Sequence, residues 1–204
     1  LYGDIGDNDG AITSAQITRE LMAAEATYKN IDVRINSIGG EVYTGIAIFN
    51  ALRASKANIT IYVDGVAASM ASVIALCGKP VYMSRYARLM LHSVSGGCYG
   101  NTKDMKDMIS QMESLEDTLC DMYAEKLGKD KAEIKSSYFD GIDHWLTAEE
   151  SKNFGFIDGI YDADPVPEES TPEQIYAIFN NRLNEPQNIL DMNLEELKKR
   201  PQFN

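Results

Sequence analysis

The chain has 204 residues, 44% of them hydrophobic, and a formal net charge of −12 from 19 basic and 31 acidic side chains. That length supports one core of roughly 150–160 residues plus an appendage. The acidic balance argues against a nucleic-acid surface. Cys77, Cys98 and Cys120 form no closed disulfide framework and have no metal-ligand spacing, and no run reaches the ~20 apolar residues of a membrane span. With no basic, apolar leader before Leu1, the expected setting is the reducing cytoplasm, with no cofactor, metal, nucleic acid or membrane involved.

Taken in order, residues 1–5 read as a strand, and Thr13-x-x-Gln16 as a capping box opening a helix to about Tyr28. Residues 31–35 alternate as a strand, after which Ser37-Ile38-Gly39-Gly40 turns into a helix ending near Ala54. A third strand covers 59–63, Ser69 opens a helix stopping at Gly78, and short strands follow at 80–83 and 88–92. Repeated strand–helix–strand units imply mainly parallel pairing with right-handed crossovers, and so an α/β core.

After Gly96-Gly97 the pattern changes. Met105, Met108, Met112, Leu115, Leu119 and Met122 recur at three- and four-residue intervals, a heptad-like seam within a helix of about 101–127. One reading lays this helix flat on the core. The preferred reading has it project and pack on a partner, since other helices already cover the sheet and methionine contacts are adaptable. A helix over 131–139, a capping box at Thr147-Ala148-Glu149-Glu150 with Gly155 at C′, and a strand over 156–161 complete a domain of 1–162. Residues 163–204 read as an acidic, proline-bearing linker and a short helical extension.

The chemistry centres on Ala67-Ala68-Ser69-Met70-Ala71-Ser72 and on His92, 23 residues beyond Ser69 and one of only two histidines. A serine hydroxyl needs an adjacent base, itself oriented by a third group. Placed at a strand-to-helix turn, Ser69 would leave the Met70 amide pointing outward toward an oxyanion, and Gly39-Gly40 could bring a second amide close. Taken singly, the small-residue run is tight helix packing, the glycines a turn and His92 a core histidine. Their order and spacing favour a site.

Asn36-Ser37-Ile38-Gly39-Gly40, Gly65-Val66-Ala67-Ala68-Ser69-Met70-Ala71-Ser72, Arg88-Leu89-Met90-Leu91-His92 and Asp143-His144-Trp145-Leu146-Thr147-Ala148-Glu149-Glu150-Ser151, in that order, resemble the Clp protease proteolytic subunit family over residues 1–162. The resemblance implies a crotonase-like α/β fold of repeated β-β-α units with a projecting handle helix. It implies a serine peptidase acting on polypeptides inside heptameric rings, single or stacked as a tetradecamer. Carried over by position, Ser69 is the nucleophile, His92 the general base and Asp143 the third member. Gly40 and Met70 supply the oxyanion amides, and 101–127 is the handle through which rings stack.

Asp140 rivals Asp143 as third member, and Ser72 rivals Ser69 one helical turn on. Cys98 lies in a glycine-rich turn and is discounted, and His144 reads as structural. Ile38 stands where housekeeping members have proline. A chain starting at a core strand lacks their preceding axial-loop segment, which leaves docking to an ATPase unfoldase open. The 63–75 run and the acidic extension resemble phage- or prophage-encoded relatives associated with prohead maturation. Two other classes compete: a crotonase-type acyl-CoA enzyme, and a ring-forming scaffold with a vestigial site.

Overall fold

The computed structural model describes residues 1–161. The expectations for 163–204 lie outside those residues. The described part is a mixed α/β domain. Its order is α1 (Ser14–Glu25), β1 (Asn30–Ser37), α2 (Val42–Ala54), β2 (Asn58–Ala68), α3 (Met70–Ala75), β3 (Val81–Met83), β4 (Arg88–Leu91), α4 (Thr102–Leu127), α5 (Lys131–Tyr138), β5 (His144–Thr147), α6 (Ala148–Asn153) and β6 (Gly159–Ile160).

β2 is the spine of the sheet. β1 runs parallel along one side of it, while β3 and β4 lie in tandem on the other, β3 against 61–63 and β4 against 66–68. β6 extends the sheet beyond β3 in parallel, and β5 extends it beyond β4 in antiparallel sense. The β1–β2 register slips between Ile35↔Val63 and Ser37↔Ala67, leaving β2 two residues longer across the slip. Such an excess bends a strand and re-aims the residues beyond the bend. Asn36 occupies the inside of this bend: its Oδ1 accepts from the Val66 amide at 3.2 Å. A Cβ on residue 65 would sit 2.6 Å from that same oxygen, so Gly65 leaves room for the Asn36 side chain to reach the Val66 amide.

Burial follows the element pattern. Ile35, Ile61, Val63, Ala67, Leu89 and Leu91 fill the sheet, and Ile48, Leu52, Val73 and Ile74 cover it from α2 and α3. All six residues of α3 are buried. Along α4, by contrast, the buried residues are Leu119, Cys120 and Tyr123, all in its C-terminal part. The N-terminal seam residue Met105 is exposed, as is Ile109 beside the seam, and Met108, Met112 and Leu115 are only half-buried.

Several expectations are corrected. Residues 1–5 form isolated bridges, Tyr2↔Asn36 and Ile5↔Gly40 among them, rather than a strand. Strand 59–63 runs on unbroken to Ala68, because 66–68 find partners in β4. The last strand shrinks to two residues. The Thr13 hydroxyl accepts from the Gln16 amide, but the Gln16 side chain turns to Glu20, so the box is half-formed. The Thr147–Glu150 box is complete.

Candidate active site

Ser69 stands between β2 and α3 with φ 52° and ψ −126°, the only non-glycine residue at positive φ among the described residues. A backbone held there costs about 1–3 kcal/mol and persists only when its surroundings fix it. They do so from three sides. The Ser69 amide donates to Met90 O at 2.9 Å. Its carbonyl accepts from the Ser72 amide at 3.0 Å and from Ser72 Oγ at 2.6 Å. Gly39 backs the turn: a Cβ there would lie 2.6 Å from Ala68 O, 2.8 Å from Ser69 Cβ and 2.9 Å from Met70 N.

The turn points the Ser69 hydroxyl at His92, which immediately follows β4, with Oγ 2.8 Å from Nε2. On the far side of the ring, Nδ1 lies 3.2 Å from Asp143 Oδ1. A carboxylate only accepts, so Nδ1 carries the proton and Nε2 receives the serine O–H. The β4–β5 ladder brings these two residues together. It pairs Leu91 with His144, which leaves His92 and Asp143 as the next residues outward on the two strands. Asp140 is engaged elsewhere, accepting from His144 Nε2 at 2.8 Å and from the Ile142 amide at 3.1 Å. The bond from His144, with that amide, holds its carboxyl below the ordinary value. His144 also sets its ring edge-on to Tyr138 at 5.5 Å.

Met70 is the first residue of α3, where backbone amides have no partner within the helix. Gly40 lies across from it, and neither amide donates to an acceptor among the described residues. The turn holding Gly40 is pinned by Ile5, whose amide donates to Gly39 O and whose carbonyl accepts from the Glu41 amide, both at 2.9 Å. Gly40 has φ 147°, and a side chain there would collide with the Ile5 carbonyl. A cavity of about 50 Å³ opens beside Ser69, with Val42, Val73, Val94, Leu119, Tyr123 and Phe139 as its apolar wall. Helix α4 reaches the site a second time through Glu116, whose Oε1 accepts from the Val94 amide at 3.0 Å.

Thus Ser69, His92, Asp143, Gly40 and Met70 converge. Ser72 does not join them as a rival, since it is buried and its hydroxyl is held by Ser69 O and Tyr123. Cys98 is turned to Asp104 O and Met105 Sδ, both at 3.6 Å. Sequence reasoning missed Ile5 and Tyr123, which no short motif marks.

Hydroxyl, imidazole and carboxylate in series beside two unengaged amides form an arrangement competent for acyl transfer by a serine hydrolase route. A family model described as Clp protease matches residues 4–164. The chain is 33% identical over 164 residues to the ATP-dependent Clp protease proteolytic subunit of Leuconostoc citreum (strain KM20), covering 78% of this chain and 80% of that protein. Against the ATP-dependent Clp protease proteolytic subunit 1 of Mycobacterium leprae (strain TN) it is 31% identical over 162 residues, covering 78% and 79%. The chain belongs to the Clp protease family, a family of peptidases. No helix among the described residues is long and apolar enough to cross a membrane.

Proposed function

We propose that the chain is a serine endopeptidase that works through an acyl-enzyme on Ser69. The observation carrying this reading is the 2.8 Å approach of Ser69 Oγ to His92 Nε2 from a strained turn. Ser69 Oγ attacks the peptide carbonyl carbon while its proton passes to His92 Nε2. The new oxyanion receives the Gly40 and Met70 amides, and Asp143 accepts from the imidazolium and keeps it oriented. Collapse expels the amine, which takes the proton from His92. Water, deprotonated by the same nitrogen, then hydrolyses the ester and frees Ser69.

The crotonase-like arrangement and a self-compartmentalised cytoplasmic oligomer of heptameric rings, single or stacked, complete the proposal. Support comes from α4, whose methionine seam leaves the core before Leu119. Two settings compete for its use. The 63–75 run favours phage prohead maturation, while the relatives' names, ATP-dependent proteolytic subunits, favour a partnership with an unfoldase. Degradation of a folded substrate only with an added Clp unfoldase and ATP would select the second.

Ser69→Ala tests the chemistry. It should abolish fluorophosphonate labelling and lower hydrolysis of a fluorogenic peptide by about 10⁴-fold or more, with the oligomer's mass unchanged. His92→Ala should do nearly the same. Retained cleavage in Ser69→Ala would refute the assignment, and an intact but inert wild-type oligomer would favour a vestigial assembly protein.

A further inference from the structure

We infer that Tyr123 and Ser72 are positioning residues for the oxyanion hole, acting through the single peptide group that joins Ser69 to Met70. The inference rests on the reading of Ser69 as nucleophile and Met70 as oxyanion donor. The Ser69 carbonyl and the Met70 N–H belong to one planar, resonance-coupled unit. Whatever binds the oxygen therefore sets the direction and polarity of the amide at the other end.

That oxygen accepts from Ser72 Oγ at 2.6 Å. Having given its proton there, Ser72 can only accept from Tyr123, whose hydroxyl lies 2.6 Å away. The order is fixed: Tyr123 O–H donates to Ser72 Oγ, and Ser72 O–H donates to Ser69 O. Tyr123 is 3% exposed and its ring packs on Phe139 with centroids 6.0 Å apart, so the phenol cannot turn to water. Burial also pushes that phenol above its ordinary pKa, so it remains a proton donor.

Successive hydrogen bonds polarise one another, by roughly 10–30% per bond. Density drawn onto Ser69 O leaves the Met70 N–H more positive and aimed away from the carbonyl. Little of this is felt by a neutral peptide carbonyl. It is felt fully when negative charge develops on the attacked oxygen, so the pair acts on rate rather than on substrate binding.

The test uses the full chain with Tyr123→Phe, which keeps the ring, together with Ser72→Ala and the double variant. Steady-state hydrolysis of a fluorogenic peptide and inhibition by a peptide boronate, which forms a tetrahedral adduct, are measured. Each single variant should lower kcat about five- to tenfold with KM within about twofold, and weaken boronate binding by the same factor. The double variant should be no worse than Ser72→Ala. Wild-type kcat and boronate affinity in Tyr123→Phe would overturn the proposal, as would losses that multiply in the double variant. Should Ser72→Ala fail to fold, Tyr123→Phe alone decides by the same two readings. Run beside them, Ser69→Ala separates the failures: if it still cleaves, the nucleophile assignment falls and takes this role with it. If it is inert while Tyr123→Phe is unimpaired, only the positioning role falls.

Discussion

Asp143 is far more exposed than the imidazole it touches, at 59% against 25% of their side-chain surfaces. Water screens that pair, so the carboxylate contributes less by charge than a buried one would. In the proposed mechanism its role is to fix the ring so that Nε2 faces Ser69. Asp143→Asn should lower kcat by about 10²–10³-fold, less than loss of the nucleophile, with KM little changed. Asp140→Asn, three residues away, should leave kcat within a few-fold, because its carboxylate serves His144 and the Ile142 amide. Equal losses in the two variants would show that the carboxylates exchange places in the working enzyme. Sequence spacing alone could not separate them, since both sit in one turn and either could reach the imidazole. The antiparallel register of β4 and β5 does separate them.

Among the elements, α4 has two distinct ends. Its first turn is closed by Asn101 and Asp104 in a reciprocal box, and its last residue is followed by Gly128 at φ 62°. Only its C-terminal part is buried, where Tyr123 meets Ser72. Replacing Met108, Met112 and Leu115 together with charged residues should therefore spare the fold, since none of the three is buried, and split stacked rings into single ones by light scattering. An unchanged mass would count against the handle. This helix was legible in the sequence because apolar residues recur at three- and four-residue intervals from Met105 to Met122. β5 was not: His-Trp-Leu-Thr is four residues long, lies against a capping box and shows no alternation long enough to read. The second half of β2 was hidden in the same way, by Gly65 and an alanine pair whose strand character comes from β4 alongside. Ser69 and His92 stood out through motif and scarcity. The Ser72–Tyr123 contact spans 51 residues and joins two ordinary side chains, which no local pattern announces.

On the scale of the whole domain, Asp64 ties the sheet to residues near both ends of the described segment. It accepts from Arg34 on β1, from the Tyr2 hydroxyl and from the Tyr161 hydroxyl at 2.8 Å. Tyr62 lies between Tyr82 and Tyr161, at 5.8 and 5.5 Å, with the Arg34 guanidinium 5.0 Å from its ring. Burial resists ionisation of Asp64, but the bonds from Arg34, Tyr2 and Tyr161 outweigh it and hold the carboxyl below its ordinary value. Near pH 4 the unfolded chain therefore binds more protons at this residue than the folded one. Stability rises with pH across that window and is lost as the pH falls through the lower, folded value. Asp64→Asn should cost about 1–3 kcal/mol at neutral pH and make the acid limb of a denaturation profile shallower. An unchanged slope would show that other carboxylates govern it. The domain's connectivity also sets an order in time. Asp143 follows His92 by 51 residues, with α4 and α5 between them, and reaches the imidazole only once β5 has paired with β4. A chain leaving the ribosome thus offers its hydroxyl and imidazole long before their carboxylate arrives. The geometry proposed for catalysis is therefore complete only after α4, α5 and β5 have been made and β5 has docked on β4.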